Sequence, residues 1–297
     1  ELLLRRICPR HKSSTGEQLE LLRLPLHLSI FVELMRNGAV DGLELSTPLA
    51  LFSAYWDYKV EAVTKRLEER ENNWARVIDV LCKRMTQEQT LFVHEHVILD
   101  DYRGTVRVME SEGVLILDSG KVGFFHESFF DYCFARGFLR RGGKLLSFIM
   151  DGEQHLFKRA PLRQVLTHMH DSDEGEYTKQ VDQILSDPDV RYHIKKAALE
   201  AVDRIDAPSD ALWKVFSRFM REDCEGFARE IRGILIGSRK WFQFLNEKGV
   251  LEAWLADESN RCHRTGKSIV ATHLMAFPKE AVALYRPYIG KSSEWAQ

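Results

Sequence analysis

Phe129, Phe130, Cys133, Phe134, Gly137 and Phe138 recur at i, i+1, i+4, i+5, i+8 and i+9, and this spacing constrains the fold more than any other feature of the chain. It puts all six on one broad face of a helix, not on the alternating faces of a strand. Burying each phenylalanine contributes roughly 1.5–3 kcal/mol, so the helix, read as Glu127–Arg140, belongs in a core. Just before it, Val114–Leu117 and Val122–Phe125 flank the turn formers Asp118-Ser119-Gly120-Lys121, the pattern of a β-hairpin. His126 therefore falls where a short strand ends and an apolar helix begins. A helix start exposes backbone N–H groups and the positive end of the helix dipole, which suits an anion such as a phosphate. A histidine there adds a side-chain donor; the alternative is that the helix is simply core and His126 caps it.

Elsewhere the periodicity is helical. Residues 17–36 read as two helices meeting at Pro25, with Leu28, Phe31, Val32 and Met35 on one stripe. Asn37-Gly38 closes that unit, because both residues tolerate the left-handed conformation. Ser46-Thr47-Pro48 opens a helix expected to run to about Arg70, with a hydroxyl cap and a first-turn proline. A further helix is expected over 73–86. Leu91–Leu99 reads as either a short strand or the end of a helical turn. Asp100–Glu112 reads as a helix with Tyr102, Val106 and Met109 inward. Helices followed by one small hairpin make a winged-helix pattern.

From Gly142 onward every segment reads as helix, divided at Asp151-Gly152, 171–175, Asp187-Pro188, Ala207-Pro208, Gly237, Gly249 and Pro278. The pairs 193–205 and 209–220 are similar to HEAT-like units of an α-solenoid. The expected architecture is mostly α. A small helical domain spans 1–45, a winged-helix domain with one short hairpin spans 46–141, and helical, HEAT-like repeats span 142–297.

Composition fits a folded soluble protein: 297 residues, 44% hydrophobic and 29% charged, with net charge −2. Such a balance creates no global field for nucleic acid or an anionic membrane. No apolar run approaches the ~20 residues that span a bilayer, and no secretory signal opens the chain. Cys8, Cys82, Cys133, Cys224 and Cys262 are odd in number and far apart, as expected of reduced thiols in a cytoplasmic protein. The chain begins at Glu1 and runs straight into Leu2-Leu3-Leu4, which points to a piece of a longer protein.

Several motifs carry less than they suggest. Thr265-Gly266-Lys267-Ser268 mimics the end of a phosphate-binding loop, but Arg261 stands where the pattern needs glycine, and Leu251–Ala256 before it reads as helix. The 100–112 helix sets Arg103 and Arg107 against Asp100, Asp101, Glu110 and Glu112, a balance that repels a DNA backbone. His94-x-His96 and His168-x-His170 have no cysteine or carboxylate partner at metal-ligand spacing. Glu127 and Asp131, at i and i+4, read as the solvated face of their helix, so no acid–base pair is expected there. Trp213, Trp241, Trp254 and Trp295 read as core, or as part of a concave surface that binds a protein partner.

Phe125-His126-Glu127-Ser128-Phe129, followed by Asp131-Tyr132 and Ala135, resembles the F-x-H-x-S/T-F-x-E-F/Y-x-A-A element of the winged-helix domain in NACHT-type STAND NTPases. Arg23-Leu24-Pro25-Leu26-His27-Leu28 resembles the proline element of their first small helical domain. Ala54-Tyr55-Trp56 resembles the start of their winged-helix domain. The three stand in the family's order and cover roughly residues 17–140. Asp131 replaces the usual glutamate, and Cys133-Phe134 replaces smaller residues.

The resemblance implies that Pro25 packs against the adenine of bound ADP and that His126 reaches the β-phosphate. Exchange for ATP would then break the histidine contact, making a two-state switch. It also implies that the phosphate loop, Mg²⁺-binding acids and arginine sensor lie upstream, so this chain alone should not hydrolyse ATP. The helical C-terminal half would bind a protein ligand. The parent would oligomerise on activation, in an immune-type response such as bacterial antiphage defence. The alternative is a helical-repeat scaffold for protein–protein interaction with no nucleotide role.

Overall fold

The computed structural model describes residues 16–40, 45–68, 71–221, 225–258 and 262–288; Cys8, Cys224 and Trp295 lie outside them, as does the expected helix end at Arg70. The described chain is mostly α, with one three-stranded antiparallel sheet in its N-terminal part. It divides into two units, one holding the described residues up to Gly143 together with Ala160–His168, the other holding the rest. The segments expected as a small helical domain and a winged-helix domain share the first unit, and Ala160–His168 belongs with them.

In the first unit, helices α1 (Gly16–Leu21) and α2 (Pro25–Arg36) meet at Pro25, as the sequence predicts. The buried stripe of α2 is His27, Ile30, Phe31 and Leu34, one residue earlier than expected at every member, so that Phe31 alone is common to both sets. Both sets satisfy the i, i+3, i+4, i+7 template. The selected one lets His27 donate through Nδ1 to the Leu21 carbonyl at 3.1 Å and set its ring edge-on to Phe52.

Helix α3 (Pro48–Thr64) starts on the expected cap, with Thr47 Oγ1 accepting from the Ala50 N–H at 3.1 Å, and packs on α2. It stops at Thr64, well short of the expected end. Lys59 of α3 is buried yet satisfied: its Nζ donates to Glu33 Oε1 of α2 and to the Glu112 carbonyl. A buried ammonium at a helix C-terminus needs such partners.

Helix α4 (Trp74–Glu88) leads into β1 (Phe92–His94), which settles the strand-or-helix ambiguity as a strand followed at once by α5 (His96–Ser111). Tyr102 breaks the helical conformation of α5 at φ −131°, ψ 27°, so the expected 100–112 helix is the second half of a kinked pair. Val106 and Met109 are buried as expected, with Ile98, Leu99 and Thr105. Strands β2 (Leu115–Asp118) and β3 (Lys121–Phe124) form the expected hairpin. Ser119 and Gly120 both take positive φ, the geometry of a tight hairpin turn. The sheet order is β1-β3-β2, with Phe92, Gly123 and Ile116 in one row. Helix α6 (Glu127–Arg140) follows, with the bounds read from sequence.

The second unit contains α7 (Leu145–Met150), the end of α8 (Arg159–Ser172), α9 (Glu174–Ser186), α10 (Tyr192–Ile205), α11 (Asp210–Arg221), α12 (Glu225–Gly237), α13 (Arg239–Glu247), α14 (Val250–Ala256), α15 (His263–His273) and α16 (Pro278–Tyr285). From α9 onward each helix packs on others within three places along the chain. Local chemistry sets most of the ends. Asp173 caps α9 by accepting from the Glu176 N–H, so the break expected over 171–175 falls at Asp173, with Gly175 already inside the helix. Lys158 is buried where α7 ends and donates its Nζ to the carbonyls of Phe148, Ile149 and Asp151. No described helix is long and apolar enough to cross a membrane.

Candidate functional site

The His126 junction is built by a cluster of rings. Phe124 and Phe125, at the end of β3, contact Phe129 at 6.1 and 5.2 Å between centroids. Tyr55 of α3 lies against Phe125 and Phe129, and Phe52 against Phe129 and Tyr132. Arg136 lies over the Trp56 ring and donates to the Tyr132 hydroxyl. Phe129, Phe130, Cys133, Phe134 and Phe138 are buried as the periodicity requires, with Tyr132 and Ala135 beside them. Buried rings on both sides of His126 fix its backbone, while its side chain is exposed.

His126 is the N-cap of α6, with extended backbone at φ −156°, ψ 145°. Its Nδ1 accepts the Ser128 N–H at 3.1 Å, and its carbonyl accepts from Phe129 and Phe130. The expectation of an open helix start needs narrowing, because the cap residue itself satisfies two of the free N–H groups, that of Ser128 through Nδ1 and that of Phe129 through its carbonyl. The bond has a second consequence. With Nδ1 accepting, the neutral imidazole carries its proton on Nε2, so the side chain offers one donor outward. A cavity of about 240 Å³ adjoins it, with Phe92, Ile116, Phe125, Phe130 and Glu127 in its wall.

Pro25 occupies the first position of α2 and is exposed. No side chain caps that helix, and Leu24 before it is 55% exposed. Two residues on, His27 is buried, and burial holds its ring below the usual histidine range, against the opposing effect of the Leu21 carbonyl. A charge on His126 lowers it further, so the two imidazoles are within electrostatic reach. Helix α2 and the start of α6, distant in sequence, thus approach one another. His27 was quoted within the proline motif but given no role. An isolated histidine on an apolar stripe is a signal that could have singled it out.

Asp131 departs from expectation. It is half-buried, and its carboxyl is pushed up to about 7, by burial first and then by the charge of Glu127, against the pull of Arg163. The reading of this residue as solvated is therefore overturned, whereas Glu127 is exposed as expected.

The other candidates have structural roles. Thr265–Ser268 lies within α15, with Thr265 and Gly266 buried, so it forms no phosphate loop. Arg107 pairs with Glu110. His94 and His96 stack on each other, and among the described residues no group of three metal-capable side chains gathers. His168 lies against Tyr132 and bonds the Gln164 carbonyl, and His170 pairs with Asp171. Trp241 and Trp254 are buried, and Trp213 packs on both, which is the core reading of the tryptophans. The chain matches no family model, no curated protein and no solved structure.

Proposed function

We propose that this chain is the regulatory and sensor segment of a NACHT-type STAND NTPase. Pro25 packs on the adenine of ADP and His126 donates from Nε2 to the β-phosphate in the resting state. ATP exchange releases that contact, and the complete protein then oligomerises. The helical C-terminal half recognises a protein partner, in an immune-type response such as bacterial antiphage defence. The phosphate loop, its lysine and the Mg²⁺-binding acids are assigned to sequence preceding Glu1.

The observation that carries this reading is the approach of the proline helix to the start of α6, where Phe52 lies between His27 of α2 and Phe129 of α6, at 5.7 and 6.2 Å between ring centroids. A ligand holding a base at one and a phosphate at the other would tie α2 to α6. Element order lends support. With α5 split at Tyr102, residues 74–124 run helix, strand, helix, helix, strand, strand, the order of a winged helix. The principal helix contacts of the second unit fall between near neighbours along the chain, as expected of HEAT-like stacking.

In the complete protein, calorimetric titration with ADP should show His126→Ala binding roughly tenfold to a hundredfold more weakly, the loss of one hydrogen bond to a charged group. Equal ADP affinity in the two proteins would remove the phosphate role. The second reading is a helical scaffold without nucleotide. It is favoured by the capping bond of His126, which gives that residue a structural task without any ligand. A complete G-x-x-x-x-G-K-[ST] loop upstream of Glu1 decides for the first reading, and its absence from the complete protein decides for the second.

A further inference from the structure

We infer that Lys59 is a releasable pin, which holds α2 on α3 in one register and lets that helix undock as a unit, a role that requires no nucleotide. Three elements of the first unit meet at its ammonium. From α3, Nζ donates to Glu33 Oε1 of α2 and to the carbonyl of Glu112, the residue that closes α5. The rings of Tyr55 and Tyr58, on its own helix, lie with their centroids 5.2 and 5.3 Å from Nζ. The Glu112 carboxylate is engaged by Arg66, so Glu33 brings the carboxylate that answers the Lys59 charge.

Two features set this contact apart from ordinary core packing. Among the described elements α2 packs chiefly on α3, so its docking rests on one face. Burial across the pair is also unequal, because the Lys59 side chain is 5% exposed and that of Glu33 36%. When α2 begins to lift, Glu33 meets water at once while the ammonium stays enclosed, and a buried charge that loses its partner is strongly destabilising. Small displacements are therefore opposed. Complete undocking hydrates both charges and removes that penalty. In the docked state the pair adds little beyond what apolar side chains of similar volume would give, since both charges have lost water. The pair thus fixes the register of α2 and separates two states, docked and free, without binding the helix irreversibly. Pro25 and His27 ride on α2, so undocking takes both away from Phe52 and the ring cluster behind His126.

The test is native-state hydrogen exchange of the full chain, read by mass spectrometry on peptides from α2 and from α6. Wild type is compared with Glu33→Gln and with an apolar pair, Lys59→Met combined with Glu33→Leu. Glu33→Gln leaves the ammonium facing a neutral partner, so protection of α2 should fall about tenfold while α6 keeps its own. The apolar pair should return α2 to wild-type protection or above it. Unchanged exchange in Glu33→Gln would mean that the pair does not hold α2. Equal losses in α2 and α6 would mean that α2 does not open as a separate unit. An apolar pair protected as poorly as Glu33→Gln would mean that the charges are adhesive and not a pin. Each of these three results overturns the assignment, whatever the outcome of the ADP titration.

Discussion

Asp131 shows how one residue's neighbourhood can reverse its sequence reading. In an unfolded chain an aspartate ionises near 3.9. Here burial and the Glu127 charge push the carboxyl up to about 7, although Arg163 opposes them. Between those two values the folded state holds a proton that the unfolded state has released, so stability falls as pH rises. It is greatest below about 4, declines to about 7 and is flat above. Asp131→Asn carries no titrating group, so it should lose this part of the slope. Discounted for partial exposure, the variant should exceed wild type by about 1–2 kcal/mol at pH 8 and match it near pH 4. Urea unfolding across that range measures it, and parallel curves for the two proteins would mean that Asp131 is ionised like a surface carboxylate. Sequence offered no warning, because i, i+4 spacing from Glu127 describes a solvated stripe as well as it describes a covered one. Arg163 comes from a segment that only the fold brings to α6.

At the scale of elements, two glycines separate close packing from mere flexibility. Gly123 sits at the centre of the β1-β3-β2 row, and a Cβ there would lie 2.7 Å from both the Leu91 carbonyl oxygen and the Phe92 ring. Gly233 is an exposed residue inside α12, where a Cβ meets nothing within 4 Å. Gly123→Ala should therefore cost about 1–3 kcal/mol through overpacking, while Gly233→Ala should add about 0.4–1 kcal/mol by restricting the unfolded chain. Thermal denaturation of the two variants beside wild type checks the opposite signs. The elements themselves were largely legible in sequence, because their ends are local chemistry: the Thr47 hydroxyl, Asn37-Gly38, Ser119-Gly120, and the phenylalanine run that bounds α6. What remained hidden depends on partners. The choice between two equally periodic stripes of α2 turns on Leu21 and Phe52, and the kink at Tyr102 has no proline or glycine at that position to announce it. The site was legible as a place, since His126 does join a strand to a helix. Its wiring was legible only as an alternative, because a cap on a core helix and an anion donor both fit a histidine at this junction; the Ser128 N–H bond to Nδ1 realises the cap.

The whole molecule carries its cysteines as internal reporters. Cys82 of α4 and Cys133 of α6 are buried, and their helices pack together in the first unit. Burial raises both thiols, and each also feels a neighbouring group that disfavours the thiolate: Asp79 for Cys82, and Cys82 for Cys133. Cys262 is buried in the second unit and raised by burial as well. Since the thiolate is the reactive form, all three should resist alkylation until their own core opens. A compact unit with its own core opens as a cooperative whole. Cys82 and Cys133 should therefore become reactive at the same urea concentration, while Cys262 reports the second unit by itself. Pulsed alkylation with mass spectrometry of the separate peptides reads all three at once. Distinct midpoints for Cys82 and Cys133 would mean that α4 and α6 do not share one cooperative core. The aromatic cluster behind His126 would then lack the rigidity that a fixed Nε2 donor requires.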